Sequence, residues 1–306
     1  MSIWVCGEVL IDVLPDESLV GGGPANTAIA LANLEQDVEF IGVISSDKYG
    51  DLARGEFEKV GVAISYLPES AKPTAMAKVN VGEGGVASYL FTIDGTATFD
   101  FDGAWLPDPS RTRPALLHIG SLATIVEPGA RALYEWAMKV AEFAPVVYDP
   151  NIRPAHLSDR NRYRESVEDW VSTSSVVKAS DDDLTWLYPE TDAITIAKNW
   201  IALGAHLIVV TKGANGLMAI TSEEVVEVPA IAVHVVDTVG AGDTVGAVIS
   251  QAIVRNGLEN MRGNVLREAL NCAALAAAIT CSRAGMQPPT RSELEARRNE
   301  HKNAVH

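Results

Sequence analysis

Basic residues are scarce in this chain of 306: 24 Lys and Arg stand against 40 Asp and Glu, for a formal net charge of −16. No basic stripe is available to release counterions from a nucleic acid or to meet an anionic membrane, so neither partner is expected. Cysteine is scarcer still. Cys6, Cys272 and Cys281 are widely separated and lack CxxC spacing, so they read as buried reduced thiols and not as a disulfide frame or a metal cage. Long apolar runs are missing too. The stretch 269–281 is too short to cross a bilayer, and the opening run 3–12 carries acids and no basic flank, so it reads as a strand and not as a signal peptide. A soluble cytoplasmic chain is the expectation. Several motifs are also absent: GxxxxGK[ST], GxSxG, HExxH, and GxGxxG after the first strand. A Walker loop is thereby excluded, and so is the dinucleotide site that an α/β rhythm alone would suggest.

What is present is alternation. Short β-branched runs at 3–9, 38–43, 115–119, 146–148, 175–178 and 206–211 are interleaved with helical patterns at 26–34, 52–60, 130–141, 163–173 and 193–203. This rhythm predicts a mostly parallel sheet covered by helices, with the site in the loops at the strand ends. One domain of 1–306 is expected. Residues 74–101 break the rhythm, reading as a hairpin around the glycines at 82–85, and with the arm at 12–21 they are expected to form a small β lid.

The most informative stretch is Asp237-Thr238-Val239-Gly240-Ala241-Gly242-Asp243. Residues 233–236 read as a strand and 244–253 as a buried helix, so small residues converge where orphan amides and the helix dipole favour a phosphate. Asp243 is then either a helix N-cap or a base that takes a proton from an attacking hydroxyl.

Other strand ends carry two readings each. Gly21-Gly22-Gly23-Pro24-Ala25-Asn26 is a turn with a capping Asn, or a place where a polyhydroxyl ligand meets the backbone. Arg153, after Asp149-Pro-Asn-Ile, is a surface ion pair or an oxyanion clamp. The acids 181–183 complement a helix dipole or position hydrated Mg²⁺. Residues 211–216 form a hairpin turn or a phosphate cradle.

In their order, Gly7-Glu8 with Asp12, Gly22-Gly23-Pro24-Ala25-Asn26, Asp47 with Gly50, Pro73-Thr74, Gly120-Ser121, Asp149 to Arg153, Thr211-Lys212-Gly213, Asp237 to Asp243 and Gly285 resemble ribokinase-like (PfkB-type) carbohydrate kinases, most nearly bacterial fructokinases. The resemblance covers nearly the whole chain. It implies a three-layer αβα core with a small β lid and an ATP-dependent kinase acting on a primary hydroxyl, with fructose the favoured sugar. Asp243 corresponds to the catalytic base and the amides of Gly240, Ala241 and Gly242 to the anion hole. Asp12, Gly22, Gly23, Asn26 and Arg153 correspond to sugar-binding positions, with Arg153 also facing the transferred phosphate. Lys178, Ser180 and Asp183 fall in the nucleotide region, with Asp183 toward Mg²⁺. Thr211, Lys212, Gly213 and Gly216 fall in a phosphate loop, and Asp237 and Thr238 beside a monovalent cation such as K⁺. Independently of the resemblance, an antiparallel flap inserted into an α/β core reads as a lid or a dimer edge, so a homodimer through the lid is an expectation.

Some positions depart from the family pattern. Ser180 and Asp183 replace Asn and Glu, Val248 replaces a smaller residue, and Ala274 replaces an Asn near the adenine pocket. Ile93 stands in for an Arg of the lid, which predicts a neutral substrate. The rival readings are a relative acting on ribose, a nucleoside or 2-keto-3-deoxygluconate, and a catalytically silent sensor on the same fold.

Overall fold

The computed structural model describes residues 1–14, 16–81 and 87–304. Its first apolar run is two strands and not one. Ile3–Cys6 (β1) joins the main sheet, and beyond Gly7 the chain re-emerges in a second sheet as Leu10–Val13 (β2) and Ser18–Gly21 (β3). Then come α1 (Gly23–Asn33), β4 (Val38–Ile41), β5 (Ile44–Ser45), α2 (Lys48–Val60), β6 (Ala63–Tyr66) and β7 (Glu69–Ser70). The break in rhythm is the antiparallel pair β8 (Met76–Val81) and β9 (Ala87–Thr92); the glycine turn expected at 82–85 lies outside the described residues.

Alternation resumes with β10 (Leu116–Gly120), α3 (Gly129–Ala141), β11 (Val146–Asp149), α4 (Arg160–Thr173) and β12 (Val176–Ser180). It continues through α5 (Asp181–Leu187), α6 (Ala193–Leu203) and β13 (Leu207–Thr211). Two antiparallel strands follow, β14 (Leu217–Ile220) and β15 (Val225–Val228), and the chain closes with α7 (Ala241–Asn256), α8 (Gly263–Cys281) and α9 (Arg291–Ala304).

The main sheet has nine strands in the order β15-β14-β13-β12-β11-β10-β1-β4-β6, parallel from β13 through β6. Its strands are apolar on both faces, as sheets covered twice must be. Residue parity decides the face. Ile3 and Val5 pack into the core with α1, α2, α7 and α8, whereas Trp4 and Cys6 pack with α3, α4, α5 and α6. The result is the three-layer α/β core that the alternation predicts.

The chain winds outward from β1 through β4 to β6 on one side and from β10 through β13 on the other, so the order reverses between β1 and β10. In open α/β sheets the crevice beyond such a reversal is where ligands bind. The second sheet, ordered β3-β2-β8-β9, draws on both segments expected to form the lid.

Three expectations need correcting. Residues 233–236 are not a strand: they follow β15 and Pro229 as irregular chain, and the Val236 amide donates to the Cys281 carbonyl at the end of α8 (2.8 Å) instead of to a sheet. Of the three cysteines only Cys6 is fully buried; Cys272 and Cys281 are half-buried. Ile93 is buried in a small core with Leu10, Ala75, Ala77 and Phe99, so it does not present a neutral wall to a substrate.

Candidate functional site

Helix α7 begins at Ala241, earlier than its apolar pattern suggests. Its N-cap is Gly240, at φ 75°, where a Cβ would stand 2.6 Å from Met286 Cγ. A side chain there is disfavoured both by the left-handed backbone and by Met286. Asp243 is therefore the third helical residue and not the cap. Its buried carboxylate accepts a hydrogen bond from Asn26 Nδ2 at 2.8 Å. Asn26 is not a cap either, because α1 starts at Gly23 after Gly22. One turn into α1, Asn26 reaches across to α7 and leaves its own Oδ1 buried without a partner.

Above Asp243 lies a polar cavity of about 580 Å³. Gly22 and Gly23 form part of its wall, and Glu8, Asp12, Asn26, Asn151 and Arg153 supply side chains. The Arg153 guanidinium donates to the carbonyls of Asn151 (3.3 Å) and Ile152 (3.0 Å), which anchor it at the end of β11. Burial pushes the carboxyl of Glu8 up to about 7, against a hydrogen bond from Ser121, and that of Asp12 up to about 6, against the pull of Arg153. Asp243 is raised to about 6 by burial, opposed mainly by the Lys178 ammonium. A carboxylate tuned toward neutrality and facing a cavity suits proton abstraction from a hydroxyl.

Lys178 lines this cavity as well. It is buried within β12, and its Nζ meets Asp149 Oδ2 at 2.8 Å in an ion pair shielded from solvent. Asp183 lines the cavity too. Its Oδ1 accepts from the Ile152 amide (2.8 Å) and its Oδ2 from the amide (2.8 Å) and hydroxyl (2.7 Å) of Ser180, closing a capping box on α5. A carboxylate committed to three such donors is a poor metal ligand, so the expectation for Asp183 does not fit its bonding. Asp181 and Asp182, which also line the cavity, are more open. Among the described residues no three His, Cys, Asp or Glu cluster as a metal cage.

On the other side of the α7 N-terminus is a second, apolar cavity of about 360 Å³. Its walls include Ile231, Val233, Val235, Ala274 and Cys281, and Gly216 contributes backbone. The two cavities share Thr211, Gly213, Thr238 and Gly242, and so meet at the amides that open the helix. Lys212 is apart from both, pairing with Glu227 at 3.5 Å. The Asp237 carboxylate accepts from the amides of Val239 (3.1 Å) and Gly285 (2.9 Å), pinning the loop that precedes Gly240.

A polar pocket and an apolar one, joined at a helix N-terminus beside a carboxylate, suit a polyhydroxyl acceptor, a nucleotide base and a phosphate chain between them. The family profile described as pfkB family carbohydrate kinase matches residues 10–293. The chain belongs to this family. It is a phosphotransferase acting on a sugar hydroxyl.

Among its relatives, the fructokinase of Rhizobium leguminosarum bv. trifolii is 34% identical over 269 residues, 85% of this chain and 82% of that one. The Escherichia coli fructokinase is 29% identical, covering 96% and 98%. Among solved structures, Xylella fastidiosa fructokinase with bound ATP superposes with a TM-score of 0.91 at 26% identity, covering 98% of this chain and 99% of that one. A Vibrio cholerae O395 fructokinase double mutant in a fructose-, ADP- and potassium-bound form gives 0.85 at 27% identity, covering 97% and 98%.

Glu8, Asn151, Ser121 and Phe91 also line the polar cavity. The sequence assigns no role to Glu8, Ser121 or Phe91, although Glu8 is an acid inside a strand-like apolar run; Asn151, with Arg153 at the strand end, is read there as facing a sugar hydroxyl and a phosphate.

Proposed function

We propose that this kinase phosphorylates a neutral ketose, fructose first, with Asp243 as the base. The observation that carries the reading is the place of Asp243: buried, at the third residue of α7, where the polar and apolar cavities meet. The sugar sits in the polar cavity against Asp12, Asn26, Arg153 and the backbone of Gly22 and Gly23. The adenine lies in the apolar cavity against Ala274, with its phosphates along Thr211, Gly213 and the α7 amides. Asp243 takes the proton of a primary hydroxyl as its oxygen attacks the γ-phosphorus, and the bond to the departing ADP oxygen breaks in line. The amides of Gly240, Ala241 and Gly242, with Arg153, absorb the charge that builds on the transferred group.

Mg²⁺ fits as a hydrated ion carried by the nucleotide phosphates, with Asp181 and Asp182 in reach of its waters; Mg²⁺ keeps several waters at such sites. It would screen phosphate charge. Asp237 and Thr238 remain the candidates for K⁺ binding, checked by the dependence of rate on KCl, and a homodimer through the second sheet is checked by molar mass in solution.

The preference for a neutral sugar rests on the carboxylates of Glu8, Asp12 and Asp243, which line the cavity with Arg153 and the already paired Lys178, not on Ile93. A substrate carboxylate brought among them would be desolvated next to like charge. A coupled ADP-release assay with fructose, ribose, adenosine and 2-keto-3-deoxygluconate tests this directly. The highest kcat/KM is expected for fructose and the lowest for the acidic sugar; a preference for the acid or for adenosine overturns the assignment.

A further inference from the structure

The ion pair between Lys178 and Asp149 is unexplained by sugar or nucleotide binding. Both side chains are almost fully buried, at 5% and 6% exposure. Replacing such a pair with apolar residues is often neutral or stabilising, so stability alone is a weak reason for its presence. Its position supplies a better one. Lys178 Nζ is 3.0 Å from where a Cβ of Gly242 would stand, directly under the first turn of α7 and beside Asp243. Asp149 Oδ2 holds the ammonium at 2.8 Å, while Asp149 Oδ1 is buried with no hydrogen-bond partner. That leaves Asp149 an acceptor whose charge is answered chiefly by Lys178.

We propose that Lys178 and Asp149 form a buried positioning pair for the reaction: Lys178, under the first turn of α7, is the cation that serves the Asp243 carboxylate, and Asp149 holds its ammonium in place there. This inference rests on Asp243 being the base. A base in a desolvated pocket needs a neighbouring cation, or it takes up solvent protons before any substrate arrives. The pair also has a role during transfer. Once the sugar O–H bond breaks and its proton moves to an Asp243 oxygen, Asp243 is neutral and Lys178 is left facing the Gly242 end of α7. There the new bond from the sugar oxygen to phosphorus forms as the bond to ADP breaks.

The charges around the pair are consistent with this role. Burial opposes the ammonium, but Asp149 and Asp243, together with Asp183 from α5, outweigh it and hold Lys178 above its ordinary value. His118 on β10, against Gly246 and Ser250, is pushed down to about 3 by burial, with Lys178 adding to the fall, so it stays neutral and does not compete for Asp243. Around Asp243 itself, Asp149 raises the carboxyl, whereas Asn26 from α1 and Arg153 from the β11 end lower it.

The test is the pH profile of kcat/KM for fructose, which reports groups of the free enzyme. Lys178→Met removes the cation and is expected to move the acid limb upward by about one to three pH units, with the loss at neutral pH recovered under alkaline conditions. Asp149→Asn keeps shape and an acceptor for Lys178 but removes the anion that raises Asp243, so the limb is expected to move downward. Opposite shifts from the two halves of one ion pair are not produced by a purely structural role, which would lower Tm and leave the limb where it was. A limb belonging to Glu8 or Asp12, which answer to Arg153, would also stay put in both variants. Coincident limbs, or shifts in the same direction, overturn the proposal. Should Lys178→Met fail to fold, the direction of the Asp149→Asn shift decides alone. Full turnover in Asp243→Asn would instead remove the base assignment on which the proposal stands, so the two failures are distinguishable.

Discussion

Replacing Asp243 with Asn should separate activity from stability, and in opposite directions. The amide keeps the size of the carboxylate and an oxygen to accept from Asn26 Nδ2, now at 2.8 Å, but it cannot accept the sugar proton. Loss of a general base lowers kcat by roughly a hundred- to ten-thousand-fold. Stability should respond the other way. Burial raises the Asp243 carboxyl from an ordinary 3.8 to about 6, which corresponds to a penalty of ~3 kcal/mol on its ionised form in the folded protein. A group whose folded value is raised favours folding least when ionised, so stability falls as pH rises from about 4 through about 6. Above that window the wild type carries the whole penalty and the Asn variant none. Some of the gain is offset because Lys178 loses one neighbouring anion, although it keeps Asp149 at 2.8 Å. At pH 7.5 the variant should therefore melt at or above wild type, with the difference vanishing below about pH 4. Turnover by ADP release and Tm by calorimetry across pH read both halves. Near-wild-type kcat refutes the base assignment, and a clear fall in Tm at pH 7.5 refutes the desolvation argument.

Arg153→Lys keeps a positive charge but loses the planar fork, so kcat/KM should drop substantially while Tm holds; unchanged kinetics would return Arg153 to a surface role. Asp183→Ala breaks the capping box and strands the amide of Ile152, so it should cost on the order of 1–2 kcal/mol of stability. Its Mg²⁺ dependence should match wild type, and a large rise in the Mg²⁺ concentration required for half-maximal rate would restore Asp183 as a metal ligand.

Much of the core was legible because a parallel sheet covered on both faces writes itself as short β-branched runs between amphipathic helices. The runs at 146–148 and 206–211 became β11 and β13 within a residue or two of where their patterns put them. The first run was harder. Residues 3–12 read as one largely apolar run with Glu8 and Asp12 in it, and Gly7, at φ 149°, marks where the chain leaves one sheet for another. The stretch 233–236 misled for a different reason: Val233 and Val235 line the apolar cavity, and such a wall has the composition of a strand without its hydrogen bonds.

The site was legible where chemistry and backbone coincide in sequence, as in Gly240-Ala241-Gly242-Asp243, and illegible where it is assembled across strands. Asp183 shows the limit from one side. Three consecutive acids at a helix start look alike in sequence, and all three line the cavity, yet Asp183 is committed to donors of Ser180, through the capping box, and of Ile152, whereas the other two are more open. Lys178 shows it from the other. A single cation within Val176-Val177-Lys178-Ala179, a strand otherwise apolar, should have prompted a search for its counter-ion on the neighbouring strand. Tyr148 pairs with Val177, so the next residue of each strand is Asp149 and Lys178, an acid facing a base at the sheet's carboxyl edge. Register was the missing information. Once the strands are aligned, the charge inside β12 ceases to be an anomaly and becomes the cation paired with Asp149 beneath the first turn of α7.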